Sequence, residues 1–357
     1  MLPFLISVLA FVGVLSPLVF LHELGHYLAA KACGVHVERF SIGFGPKILS
    51  WKDKSGTEWI FSWILLGGYV QMLGDANVAS SVSKEVSGID GSRTMAGKTH
   101  LQRIAIAAAG PAVNYFIAFV MFVTLFVNVG KPYHKTTVGD APETSYAYQS
   151  GIRKNDVIDK VQGQSVETFE GVLNILKGSS ATQPLEISIM RDKEPVNLVI
   201  NPLVGMSKTD VWFGKLQFSP EKTTQFYEKQ SMGKAIGDTL SAMNPWSMLE
   251  SMNLKSMGGP IAIAHQAGNV IQQGWVPVLF LMAGLSLGLG FFNLLPLPVL
   301  DGGMIFIEAL EWVSGRSISA KVRQGISVAA FGALLLLLVV LSWGDLMKIP
   351  AIAALLS

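Results

Sequence analysis

His22-Glu23-Leu24-Gly25-His26 follows a run from Met1 to Phe20 in which no side chain carries a charge. On a helix, positions i and i+4 share a face. Both imidazoles can then reach one zinc ion, and the glutamate between them can act on the attacking water. The apolar run before the motif is long enough to cross a bilayer, which takes about 20 residues. A charged or metal-binding group at that depth is costly and usually functional. The motif therefore points to a metal centre inside a membrane rather than to a soluble core.

The rest of the chain has the composition of a membrane protein. Its 357 residues are 50% hydrophobic and 15% charged, against about 25% charged in soluble domains. Three more segments read as spans: one after Arg103 with no charge until Lys131, one near Trp275 to Pro296, and one after Arg323 with no charge until Asp345. The net charge of +2 gives no footprint for nucleic acid. A single cysteine, Cys33, excludes an internal disulfide and a cysteine-based metal site. The first apolar run lacks a basic leader and reads as a retained span rather than a signal peptide.

Basic residues set the expected orientation. Lys31, Arg39, Lys52, Lys84, Arg93 and Arg103 lie between the first two spans, and Arg316, Lys321 and Arg323 lie between the last two. By the positive-inside rule both loops face the cytoplasm. The region from Lys131 to about Gly274 is then on the outer side. Four parts follow: residues 1–130, a catalytic membrane part with two spans; 131–205, an outer α+β domain; 206–274, a membrane-associated amphipathic linker; and 275–357, a second catalytic membrane part with two spans. In the linker, Lys222 to Lys255 reads as an amphipathic helix broken at Pro245.

Within the outer part, Gly151 to Ile158 is a turn leading into a strand, Val161 to Gln164 a tight turn, and Phe169 to Leu176 a helix. Leu185–Ile189 and Val196–Ile200 alternate like paired strands across Asp192-Lys193-Glu194. The order of turn, helix and hairpin resembles a PDZ domain of the bacterial protease type. On the cytoplasmic side, Trp59 to Met72 is β-branched, aromatic and interrupted by Gly67 and Gly68. It reads as a β-hairpin dipping into the membrane, with turn chemistry upstream at Gly43-Phe44-Gly45-Pro46. An unpaired edge near Leu66 to Val70, including Tyr69, can receive another strand. Gly67 and Gly68 either allow close backbone approach there or simply make a turn.

A zinc hydrolase site needs a third protein ligand. Asp301 is the best candidate. No other formal charge occurs between Lys255 and Asp301, and Pro296 and Pro298 break the third span just before it. The alternative is an aspartate capping the helix that begins near Gly302. The remaining histidines, His36, His100, His134 and His265, read as surface or packing residues, and Asn114 as a packing or capping residue.

His-Glu-x-x-His in the first span and Asn293-Leu294-Leu295-Pro296-Leu297-Pro298-Val299-Leu300-Asp301-Gly302 in a late one resemble the site-2 protease family of intramembrane zinc metalloproteases, within it the bacterial RseP type. Gly67-Gly68-Tyr69-Val70, Ala109-Gly110-Pro111-Ala112-Val113-Asn114 and Gly258-Gly259-Pro260-Ile261 match as well. Some relatives carry two PDZ domains; one is legible here. The resemblance implies a polytopic α-helical protein of the bacterial inner membrane with about four transmembrane helices. It implies zinc on His22, His26 and Asp301, Glu23 as general base, and Asn293 hydrogen-bonding substrate backbone, with Gly67, Gly68, Tyr69 and Val70 at the substrate. Substrates would be single-span proteins or signal-peptide-like helices, such as anti-sigma factors, cut within the lipid bilayer in a stress response. Two rival readings are an ion or metal transporter with intramembrane His and Asp ligands, and a non-catalytic PDZ adaptor. The first gives Glu23 no role; the second needs no intact motif set.

Overall fold

The computed structural model describes residues 2–74, 91–202, 212, 215–221, 225–251 and 259–347. Lys84, Lys255, Gly258 and parts of the 206–274 stretch lie outside them. The chain divides into two compact units, Met1–Val123 with Gly233–Ser357, and Thr124–Met232.

The first unit opens with α1 (Leu2–Ala32), β1 (Val37–Lys52), β2 (Glu58–Met72) and α2 (His100–Asn128). The second holds β3 (Lys131–His134), β4 (Val138–Asp140), α3 (Tyr146–Gln149), β5 (Val157–Val161), β6 (Gln164–Ser165), α4 (Phe169–Gly178), β7 (Leu185–Arg191), β8 (Glu194–Ile200), β9 (Ser219–Pro220) and β10 (Gln225–Glu228). The chain then returns through α5 (Met232–Ala242), α6 (Pro245–Ser251), α7 (Pro260–Ile271), α8 (Trp275–Asn293), α9 (Asp301–Ser314) and α10 (Ala320–Met347).

Four helices are long and apolar enough to cross a membrane: α1, α2, α8 and most of α10. They match the four segments expected from the gaps in charge. Along α1 Ala10, Val14, Leu18, His22, His26 and Ala30 are buried, one residue every fourth position, with Gly25 buried beside His26. The motif histidines thus continue the same helix face that packs the apolar half of α1. α2 starts with a reciprocal cap: the Thr99 amide donates to Gln102 Oε1 (3.1 Å), and the Gln102 amide to Thr99 Oγ1 (3.3 Å).

β1 and β2 pair antiparallel with several register shifts. Taken pair by pair, Arg39–Gln71 to Ile42–Gly68 and Leu49–Phe61 to Lys52–Glu58 run in opposite directions, whereas Arg39–Glu58 to Ile42–Phe61 advance in step. Both strands are therefore bent, and their limbs lie side by side in the order 68–72, 37–42, 58–61, 47–52. The aromatic contacts follow that order: Phe40 stacks on Trp59 (centroids 4.4 Å apart) and Trp59 on Trp51 (6.1 Å), while Tyr27 of α1 meets both Phe40 and Trp59 edge-on. The expected turn at Gly43 to Pro46 is the bend in β1, where Gly43 and Gly45 take φ of 87° and 88°.

One end of this sheet is fixed at the last turns of α1. Asp53 accepts from the amides of Ser55 (2.8 Å) and Thr57 (3.0 Å), from Trp59 Nε1 (3.1 Å) and from the Tyr27 hydroxyl (3.2 Å). Burial pushes the Asp53 carboxyl up, but the donors from Ser55, Trp59 and Thr57 outweigh it and hold it well below the usual carboxylate range. The other end reaches mid-helix, where Ser16 Oγ donates to the Leu65 carbonyl at 3.1 Å.

The second unit is built on an antiparallel sheet in the order β6-β5-β7-β8. Leu185, Ile187 and Ile189 face its core and Glu186 and Ser188 face out, the two-residue period expected of a half-buried strand. Asp192 and Lys193 (φ 52° and 72°), and Gln162 and Gly163 (φ 51° and 76°), make two-residue turns with both central φ positive. Trp212 and Leu216 are buried in the same core, so this unit reaches well past residue 205. Its last strand, β10, pairs with β3 from Glu228–Lys131 to Gln225–His134. In the stretch 222–255, expected to be helical, the described residues open with a strand at Gln225, because Gln225 to Glu228 finds a partner far back in the chain. The helix expected there begins only at Met232, and the break at Pro245 separates α5 from α6.

Asp156 is 1% exposed and anchors the turn before β5, accepting from the Arg153 amide (2.7 Å) and from Arg191 Nε (2.8 Å) and Nη2 (2.9 Å). Asp156→Ala leaves those donors without their acceptor. It is expected to destabilise this unit by about 2–3 kcal/mol, read as a lower unfolding temperature and earlier proteolysis between Thr124 and Met232 in the whole protein. An unchanged melt would rule out the anchor.

Candidate metal centre

α9 begins directly after the loop that Pro296 and Pro298 force at the end of α8. Leu300 occupies the cap position without a side-chain cap bond, and Asp301 is the first helical residue. Its carboxylate turns to α1. Asp301 Oδ2 lies 3.2 Å from His22 Nε2, and Oδ1 lies 3.4 Å from His26 Nε2. The two Nε2 atoms are 3.1 Å apart. One ligand atom from each of the three residues falls within 4.8 Å of the others. Two imidazole nitrogens and a carboxylate oxygen are the donor set that zinc hydrolases use. His22 and His26 are 6% and 7% exposed, so the cluster is closed to bulk solvent on the helix side.

α2 holds the imidazoles from behind. His26 Nδ1 lies 2.8 Å from the Ile106 carbonyl, and the Asn114 amide lies 3.0 Å from His22 Nδ1. Between them sits Gly110, where a Cβ would overlap His26 Nε2 and approach His22 Cε1 at 2.9 Å. Gly25 faces back, with the Ala109 carbonyl oxygen 2.6 Å from where its Cβ would be. The Ala109–Asn114 stretch is thus shaped to the motif helix. Asn114 was expected only to pack or cap; the ring it meets is 92 positions away, and no local signal marks the contact.

The other expected site residues are distributed as follows. Glu23 lies on α1 between the two histidines, and its Cγ is 3.0 Å from the Cβ position of Gly68. Gly68 also lies against the Ser41 carbonyl, and Gly67, with φ of 135°, lies against the Phe44 ring. Tyr69 and Val70 continue the 68–72 limb, paired to Ser41 and Phe40 on one side. Among the described residues no strand pairs with its other side. Asn293 ends α8 and is half-buried; no described hydrogen bond joins it to the His–Asp cluster.

A second group of ligand-type side chains is His100, Glu308 and Glu311. His100, expected to be a surface or packing residue, lies 2.9 Å from Glu308 Oε2. Arginines already occupy these carboxylates: Arg103 Nε is 3.2 Å and Arg323 Nη1 3.3 Å from Glu308, and Arg323 Nη2 is 2.8 Å from Glu311. With Glu308 fully buried, this is an ionic clamp joining α2, α9 and α10, and it fixes the helix that carries Asp301.

Four apolar spans and a His–Glu–His–Asp group with buried histidines define a membrane-embedded metalloprotease, and the comparisons agree. Residues 10–339 match the model of peptidase family M50, the site-2 protease family, and the chain belongs to that family. It is similar to Metalloprotease MmpA of Caulobacter vibrioides, 32% identical over 97% of this chain and 96% of that protein. Proteins named as zinc metalloproteases in Agrobacterium fabrum (31% identical; 95% of each chain) and Clostridium perfringens (31%; 93% and 96%) match as well. The protein is a zinc metalloprotease.

The space at Gly110 gives a direct check. Gly110→Ala drives a methyl group into the imidazoles, an overpacking without a flexible neighbour to yield. Zinc content per chain, measured by elemental analysis of the purified membrane protein, is expected to fall at least about tenfold, with membrane insertion retained. Full zinc occupancy would show that the pocket tolerates the methyl group.

Proposed function

We propose that the chain hydrolyses peptide bonds within transmembrane segments of other membrane proteins, with zinc held by His22, His26 and Asp301. The convergence of these three side chains on the buried face of a span carries the reading. Zinc supplies Lewis acidity that polarises the scissile carbonyl and acidifies the attacking water. The Glu23 carboxylate takes the proton from that water and returns it to the leaving amide nitrogen. The Ile106 carbonyl keeps the His26 ring in place through Nδ1.

A helical substrate hides its peptide bonds and must be unwound. The 68–72 limb passes Glu23 at Gly68, and its unpaired side supports uptake of an extended segment by strand addition. Asn293 is the group on the α8 side for the substrate backbone. The sheet lies along α1 from its last turns to Ser16 and presents exposed Trp63, Ile64, Ile48 and Leu49, which supports a hairpin dipping into the bilayer from the cytoplasmic side. The helix–sheet order of the second unit supports a PDZ-like domain on the outer side, in the manner of the RseP type. Single-span proteins and signal-peptide-like helices in a bacterial inner membrane fit such a site as substrates, including anti-sigma factors cut in regulated proteolysis. A transporter leaves Glu23 without work, and an adaptor leaves the whole cluster without it.

Glu23→Gln keeps shape and hydrogen bonding but cannot accept the proton. Cleavage of a transmembrane reporter is expected to fall about 10²–10⁴-fold with zinc retained; Asp301→Ala is expected to lose zinc and cleavage together. Turnover in the glutamine variant, or full zinc in the alanine variant, would overturn the assignment of that residue.

Along an edge strand successive amides point to opposite sides, so Tyr69→Pro and Val70→Pro each remove one donor, one of them on the free side. That variant is expected to cut substrates with a Gly or Pro near the scissile bond far better than those with an unbroken helix, with zinc unchanged. Equal loss on both substrate types would argue against strand addition.

A further inference from the structure

The structure assigns a positioning role to Asn114: its side-chain oxygen accepts the His22 Nδ1 proton and so turns His22 Nε2 to the metal. This rests on His22 being a zinc ligand. Asn114 is fully buried, its Nδ2 position is 3.0 Å from His22 Nδ1, and its Oδ1 position has no hydrogen-bond partner, so the proposed contact is reached by a half-turn of the amide. An imidazole that gives Nε2 to a metal carries its proton on Nδ1 and needs an acceptor there. The amide has one oxygen and one nitrogen, exchanged by a half-turn. Only the orientation with Oδ1 on His22 suits ligation through Nε2.

The residue is well placed to hold that orientation. It stands one helical turn beyond Gly110, whose missing side chain lets the imidazoles approach α2. Its own carbonyl accepts from Ser286 Oγ of α8 at 2.9 Å, and Ser286 is fully buried. α2 thus serves both histidines by different means, a main-chain carbonyl for His26 and a side-chain amide for His22. The Ile106 oxygen can only accept. Asn114 can face either way, and which way it faces selects the His22 tautomer.

Replacement by aspartate separates the two orientations, because a carboxylate accepts and does not donate. The measurement is zinc affinity of the purified full-length protein, by competition with a chromophoric chelator, alongside the visible spectrum of the cobalt-loaded protein. Asn114→Asp is expected to bind zinc at least as tightly as the unaltered protein and to keep the cobalt spectrum. Asn114→Leu, of similar volume but without an acceptor, is expected to lose affinity about 10–100-fold. Ser286→Ala, which frees only the Asn114 carbonyl, is expected to stay within about threefold, separating helix packing from the amide's contact. A tenfold loss in Asn114→Asp, or none in Asn114→Leu, overturns the proposal; if the leucine variant fails to fold, the aspartate variant decides alone. His22→Ala is the control. Zinc retained there would refute the ligand assignment itself rather than the role of Asn114.

Discussion

Everything near the centre of this protein follows from placing hydrogen-bonding side chains on the packed face of an apolar helix. His22 and His26 are buried, so their ring nitrogens need partners within the site. α2 meets the Nδ1 atoms and Asp301 faces the Nε2 atoms. This demand explains why α2 must come so close to α1 that both helices carry glycine at the contact, Gly25 and Gly110. It also explains why α9 starts where it does. The proline-broken loop after α8 lets a helix begin at the level of the imidazoles, with a carboxylate in its first position.

The ionic clamp around Glu308 serves the same end. Asp301 sits on a short helix that would otherwise be held only by its loop and by apolar packing. Two turns on, Glu308 engages His100 and Arg103 of α2 and Arg323 of α10. The partners come from separate elements, so α9 is fixed in rotation as well as in depth. Buried ion pairs of this sort add little net stability, because desolvation offsets their attraction, but they are selective about geometry. Here the geometry in question is the direction of one carboxylate.

Much of this was legible from the residues alone. The four long helices fall where charges are missing, and His22, His26 and Asp301 stood out because polar groups are rare at that depth. The alternation of Leu185 to Ile189 and the Asp192-Lys193 turn are local signals, and the paired strands were found from them. The rest depends on partners distant in sequence. The in-step pairing of Arg39–Ile42 with Glu58–Phe61 leaves no periodicity to read. Gln225 to Glu228 is a strand only because Lys131 to His134 lies beside it, and Trp212 and Leu216 join a core whose other buried members end at Ile200. Asn114 looked like any polar residue after a Gly-Pro step, because the ring it touches is 92 positions away.

The pairing of β3 with β10 has a bearing on how such chains diversify. Lys131 and Glu228 are opposite one another in the ladder, a separation of about 5 Å in any antiparallel pair. The chain therefore enters and leaves the strands of this unit through a doorway one strand-pair wide, however many residues lie beyond it. The gap that the flanking chain must bridge is set by that ladder and not by the size of what it encloses. Copies of the enclosed domain can then be gained or lost over generations as a cassette, without lengthening the route between the half that carries the histidines and the half that carries the aspartate.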